Sequence, residues 1–181
     1  TPILIVVGDV VNFEKAHAPK ENILVTGTTA QEYAASGNVV HTPLIKVEKN
    51  EVAQLRNALA DNLAGFDWIV FTSRYGVRFF FEIMDELNVD IRSVLNAKIA
   101  SVGKTTSAEL RKYRLYPDIE SATESAEGLV AYFKNEQITA KNILLPRSDK
   151  GLKFLSEGLQ QLGNRVTDVP VYRNTTNQEA E

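Results

Sequence analysis

Apolar residues along this chain fall into two rhythms. Trp68-Ile69-Val70-Phe71 is an unbroken run without alternation, the pattern of a strand buried on both faces. Thr72-Ser73 follows with helix-capping hydroxyls, and Val77 through Met84 supplies the helix. Lys98 through Leu110 repeats the plan, with a strand over Ile99–Val102, a Gly103 turn, a threonine cap and a helix over Thr105–Tyr113. Val52, Leu55, Leu59 and Leu63 keep helical spacing and predict a helix over 51–63, while Pro117 stops the second helix and Ser125 caps a third that begins with Ala126. Strands alternating with helices in this way predict an α/β fold, a parallel sheet flanked by helices on both faces. At the carboxyl edge of such a sheet, hydroxyls and the unsatisfied N–H groups of helix starts point into the cleft used for ligands.

The flanks carry a short repeat. Asn22-Ile23-Leu24-Val25, a helix about Gln31–Ala35, Gly37-Asn38 and Pro43 are matched by Asn142-Ile143-Leu144-Leu145, a polar turn Pro146-Arg147-Ser148-Asp149, a helix about Lys150–Leu162, Gly163-Asn164 and Pro170-Val171-Tyr172. From Asn22 to Gly37 is 15 steps and from Asn142 to Gly163 is 21, so the first copy lacks nearly two helical turns. Ahead of it, Thr1–Val11 reads as a buried strand and residues 12–21, with Pro19, as a linker.

Composition narrows the chemistry. The 181 residues contain no cysteine, which excludes disulfides, thiolate catalysis and cysteine metal sites. His17 and His41 stand far apart with no metal-ligand partner near either, so no metal is expected. The net charge of -3 argues against a general nucleic-acid binder. No apolar run approaches the ~20 residues of a membrane span, and Ile3–Val7 lacks the basic flank of a signal peptide, so a soluble cytoplasmic protein is expected. Gly103-Lys104-Thr105 fails as a phosphate-binding loop because Lys98 holds the place of its first glycine, and no dinucleotide fingerprint or hydrolase triad stands out. What remains is a series of polar junctions: Thr72, Ser73 and Arg74; Gly103, Lys104, Thr105 and Thr106; Ser125; Arg147 and Ser148. Each alone reads as a helix cap with a solvated neighbour. Together, hydroxyls, main-chain donors and three cations at successive strand ends form a receptor for a polyanion.

At these residues the chain resembles the uroporphyrinogen-III synthase family. The resemblance rests on Phe71-Thr72-Ser73 with Gly76-Val77, Val102-Gly103-Lys104-Thr105-Thr106, Ser125-Ala126-Glu127-Gly128-Leu129, Leu144-Leu145-Pro146-Arg147 and Val171-Tyr172-Arg173, in family order, and covers roughly Asn22 to Asn174. Gly27 stands where the family commonly carries arginine. The resemblance implies a cofactor-free lyase that cyclises hydroxymethylbilane, a linear tetrapyrrole polycarboxylate, to uroporphyrinogen III with inversion of the terminal ring and loss of water. It places Tyr172 at the family's interdomain strand as the residue that aids chemistry, and the polar junctions as the grip on substrate carboxylates. The rival expectation is a non-catalytic α/β module that binds an anionic metabolite without turnover.

The same resemblance sets the expected domains. Residues 1–20 are similar to the tail of a fused uroporphyrinogen-III C-methyltransferase domain with a linker, 21–47 to a piece of a discontinuous first synthase domain, 48–174 to a complete second one, and 175–181 to the start of a return connection. A fragment so built is expected to be inactive alone. It would leave Thr1–Val11, Ile23–Val25 and Val39–Val40 with unpaired edges, a motive for a strand-swapped dimer.

Overall fold

Ile23 and Val25 are buried while Asn22 and Leu24 between and beside them are more open, the alternation of a strand with one covered face. The computed structural model, which describes residues 4–6, 22–51, 56, 59, 63–151 and 153–177, places them in β2 (Asn22–Val25), flanked by β1 (Leu4–Val6) and β3 (Asn38–His41) in a three-stranded sheet. β1 runs antiparallel to β2, with Ile5 opposite Leu24, and β3 runs parallel to it, with Ile23 opposite Val39. This corrects the expectation of orphaned strands. Leu4–Val6 finds its partner within the chain. The short helix expected about Gln31–Ala35 is a single 3-10 turn, Gln31–Tyr33, with no side-chain cap bond at its start. The linker expected over 12–21 lies outside the described residues.

The chain divides into two units, with boundaries between Glu48 and Lys49 and between Arg173 and Asn174. Two strands cross these boundaries, β4 (Ile45–Lys49) and the last strand of the chain. The larger unit holds the expected alternation: β5 (Trp68–Phe71), α1 (Arg74–Glu86), β6 (Lys98–Ser101), α2 (Lys104–Lys112), β7 (Ile119–Glu120), α3 (Ala126–Asn135), β8 (Asn142–Ser148), α4 (Phe154–Gln161) and β9 (Arg165–Thr176). The sheet order is β4-β9-β8-β5-β6-β7, and the pairs β8/β9, β5/β8, β5/β6 and β6/β7 are all parallel. As expected, the Ile143–Leu145 strand lies beside Ile69–Phe71, in the register Ile69 opposite Leu144.

Both faces of the sheet are covered, which is why β5 shows no alternation. Trp68 and Val70 point to one face with Leu129 and Phe133 of α3 and Leu155 and Leu159 of α4, the Trp68 and Phe133 rings 5.0 Å apart. Phe71 points to the other face, edge-on to Phe80 of α1 at 5.4 Å. Each such side chain, buried to 4% exposure or less, contributes roughly 1.5–3 kcal/mol by leaving water.

Several boundaries moved. Within the helix expected over 51–63, Arg56 and Leu59 are helical, with Leu59 fully buried, while Glu51 lies outside any element and Leu63 begins a 3-10 turn, Leu63–Gly65. α2 begins at Lys104, one residue earlier than expected, so Gly103 is its N-cap without a side-chain bond and neither Thr105 nor Thr106 caps it. Pro146, Arg147 and Ser148, expected in a turn, extend β8, because β9 continues beside them with Pro146 opposite Val169. Pro146 lies two residues beyond the last recorded β5 partner, Leu144, so its missing N–H removes no ladder bond there. The helix after it starts at Phe154 instead of Lys150. β7 was not legible, since two residues carry no periodicity; the Asp118 carboxylate anchors it by accepting the Ile99 N–H at 2.8 Å. Among the described residues, no helix is long and apolar enough to cross a membrane.

Candidate functional site

Where β5 ends, the chain turns through Thr72 into α1, and Ser73 makes the turn with extended backbone, φ -157° and ψ 155°. Its Oγ accepts the Gly76 N–H at 2.9 Å, one of the donors that a helix start leaves without a backbone partner. The same Oγ lies 3.0 Å from the phenol oxygen of Tyr172 on β9, 99 positions away in sequence. Tyr172 is buried, with its ring 6.0 Å from that of Tyr75 and 5.9 Å from that of Phe79. Outside this aromatic layer, the Arg74 guanidinium sits 5.1 Å from the Tyr75 ring centre and the Arg78 guanidinium 4.4 Å from that of Phe79. The end of β8 closes the group, with Ser148 in register with Tyr172 and the Asp149 N–H donating to the Tyr172 carbonyl at 3.0 Å.

Burial pushes the Tyr172 phenol above the ordinary tyrosine range, and the Ser73 hydrogen bond opposes that shift. The neighbouring Tyr75 and Asp149 raise it further. The phenol is therefore protonated at neutral pH, a donor held in a part-buried position.

Gly76, in the first turn of α1, is needed for close approach. A Cβ there would stand 2.9 Å from the Pro146 carbonyl oxygen and 3.3 Å from Ser73 Oγ, so a methyl group must displace the helix start or the end of β8. Gly76→Ala is expected to destabilise the fold by about 1–3 kcal/mol, the usual range for overpacking. Urea unfolding of the variant measures it, and an unchanged midpoint would show that the junction has slack.

The remaining sequence candidates separate. Thr72 is half-buried between Phe71 and the cap. Lys104 and Thr105 are exposed at the start of α2, and buried Gly103 lies under Glu124, whose Cγ would be 3.0 Å from a Cβ at that glycine. Ser125 caps α3, its Oγ accepting the Gly128 N–H at 3.2 Å. These groups stand at the ends of β6 and β7, one and two strands from β5. Three expectations need correction. Thr106 is 3% exposed, because its place in the first turn of α2 faces the core, and it cannot line an open cleft. Arg147 is tied through Nε to Asp168 Oδ1 at 2.7 Å with its side chain 12% exposed, so the cation expected for a ligand already has a carboxylate. Ser148 is buried, its Oγ donating to Asp149 Oδ1 at 3.2 Å and accepting the Lys150 N–H at 3.1 Å. Tyr75, Arg78 and Phe79 were not singled out. Their i, i+3, i+4 spacing marks a helix face, but nothing local says that Tyr172 lands on it.

In the smaller unit, Gly27 accepts from His41 Nε2 through its carbonyl at 2.8 Å, which makes that ring nitrogen the donor. Among the described residues no group of three or more His, Asp or Glu side chains is placed to hold a metal ion.

Comparison with known proteins adds a family. The model described as uroporphyrinogen-III synthase HemD matches residues 28–181. A protein of Methanothermobacter thermautotrophicus, provisionally named a uroporphyrinogen-III synthase, is 27% identical over 142 residues, which is 77% of this chain and 54% of that protein. A porphyrin biosynthesis protein HemD of Ruminiclostridium josui is 29% identical over 101 residues, 55% of this chain and 19% of that protein. The chain thus spans about half, or less, of the length of these curated relatives. Among solved structures, a uroporphyrinogen III synthase from the extremely thermophilic bacterium Thermus thermophilus superposes with a TM-score of 0.64 at 22% identity, covering 78% of this chain and 55% of that one. The enzyme from Helicobacter pylori gives 0.51 at 15% identity, covering 77% and 57%. At these identities the structural likeness speaks for the fold.

Proposed function

From the premise that this chain belongs to the uroporphyrinogen-III synthase HemD family, we propose that it is synthase machinery of tetrapyrrole biosynthesis, acting on hydroxymethylbilane in the cytoplasm ahead of the haem, sirohaem and cobalamin branches. The reaction loses water and closes a macrocycle with the terminal ring inverted. Departure of the hydroxyl from an electron-rich pyrrole is intrinsically easy, so the protein's task is to hold the chain in the one conformation that sets which carbon attacks. Tyr172 donates a proton to the departing hydroxyl. Arg74 and Lys104 grip substrate carboxylates by charge-assisted hydrogen bonds, with Thr72, Thr105, Ser125 and the Gly103 turn supplying neutral donors. Arg147 supports the site from behind, bound to Asp168.

The observation that carries this reading is the protonated, part-buried Tyr172 phenol beside Ser73 at the carboxyl edge of the sheet. Such a donor is what a leaving hydroxyl requires, and the rest of the edge is rich in anion-binding groups. The test is incubation of the full-length protein, extended to the length of its relatives, with hydroxymethylbilane, followed by isomer analysis of the cyclic product. Type III product is the expected result. Type I alone, the product of closure without inversion, would replace the reading with a module that binds an anionic metabolite without turnover.

A further inference from the structure

We infer that Ser73 is a positioning residue for the Tyr172 phenol, donating its hydroxyl proton to the phenol oxygen so that the phenol's own proton is left for the substrate. This rests on the reading of Tyr172 as the proton donor.

A serine hydroxyl has one proton and two acceptor positions. The Gly76 N–H, which can only donate, occupies one acceptor position of Ser73 Oγ at 2.9 Å. Tyr172 Oη lies 3.0 Å from the same oxygen, and either hydroxyl could be the donor in that pair. If the phenol donates to serine, its proton is spent within the protein. If serine donates, the phenol proton points elsewhere. The amide bond from Gly76 favours the second arrangement, because an oxygen that accepts a hydrogen bond becomes a stronger donor through its own proton. The start of the 13-residue α1 adds positive potential at the same place.

Proton transfer requires the same direction once the phenol is ionised. When Tyr172 gives its proton to the departing hydroxyl, water leaves and a phenolate remains, which can only accept. Ser73 must then donate to it. The phenolate recovers a proton when the attacking pyrrole carbon sheds one to restore its aromatic ring, so the cycle closes without an external reagent. The groups that face this phenol are Tyr75, with Arg74 and Arg78 beyond it, on α1, and Asp149 after β8. Asp149 and Tyr75 oppose the phenolate, as burial does. Ser73 is the neighbour whose hydrogen bond favours it. The rings of Tyr75 and Phe79 flank the Tyr172 ring, so the pair is held together by packing as well as by the hydrogen bond.

A serine that merely capped α1 would accept from Gly76 and leave Tyr172 unaffected, which gives the test. The 181-residue chain is labelled with ring-fluorinated tyrosine, which ionises at lower pH and so titrates while the protein is folded. The Tyr172 fluorine signal is assigned by its loss in Tyr172→Phe, and its titration midpoint is compared in the unsubstituted chain, Ser73→Gly and Ser73→Thr. Glycine removes the hydroxyl yet remains an adequate N-cap, so folding survives; thermal melting checks this. In Ser73→Gly the midpoint is expected to rise by about one to two pH units, the size of one hydrogen bond to a charged group, and Ser73→Thr is expected to restore it. An unmoved midpoint in Ser73→Gly, or a threonine variant shifted as far as the glycine one, would overturn the inference. The titration is read without substrate, so its failure is distinct from failure to form type III product.

Discussion

Replacing Tyr172 by phenylalanine in the full-length protein is expected to slow formation of type III product several-fold while leaving the fold intact. The ring would still pack against Tyr75 and Phe79, and only the hydrogen bond with Ser73 would be lost, at a cost of about 1 kcal/mol. General acids commonly contribute roughly 10²–10⁴-fold, but a hydroxyl that leaves easily needs less help, which places the effect below that range. The pH dependence has a definite sign. The folded phenol ionises above its ordinary range, so both its donor role and its contribution to stability are present below the unfolded value of about 10 and are lost as pH rises through the folded value. Initial rates and isomer ratios across neutral and alkaline pH measure this, and the alkaline limb should disappear in the variant. An unchanged rate would remove Tyr172 from the mechanism.

Phe80→Ala should have the largest effect on stability, a loss of about 3–5 kcal/mol. The Phe80 ring is fully buried, edge-on to Phe71 at 5.4 Å and to Phe81 at 5.1 Å, so truncation removes transferred apolar surface and leaves a cavity between α1 and the sheet. A domain of ordinary stability has only about 5–15 kcal/mol in total, so the variant should populate unfolded chains at moderate temperature. It should also loosen the site, since α1 carries Ser73 at its start and Tyr75 and Phe79 on the face that meets Tyr172. Denaturant unfolding measures the change. A loss below about 1 kcal/mol would mean that the neighbouring rings collapse into the space and that this face of the core is less closely packed than it stands.

What could be read from the sequence was whatever depends on neighbours a few residues apart. The unbroken run Trp68–Phe71 implied a doubly covered strand because both of its faces need apolar side chains, and α1 and α3 on opposite faces supply the cover. Ser73 and Ser125 were legible as caps because capping is a bond from a side chain to an N–H three residues on. The same local logic erred at Thr105 and Thr106, where the helix begins one residue sooner, and at Pro146–Ser148, where the neighbouring β9 draws the chain on as strand. The site itself was beyond local reach. Ser73 meets Tyr172 because β8 lies between β5 and β9, and that order fixes which strand ends adjoin. Asp168 reaches Arg147 through the parallel register of β8 and β9, and Thr106 turns inward because α2 packs on α1. The sequence by itself determined the alternation of strands and helices and the chemistry available at each junction, since these follow from periodicity and side-chain type. Which hydroxyls and cations remain available to a ligand was decided only by tertiary packing, because burial and ion pairing depend on residues that the chain brings together from far apart.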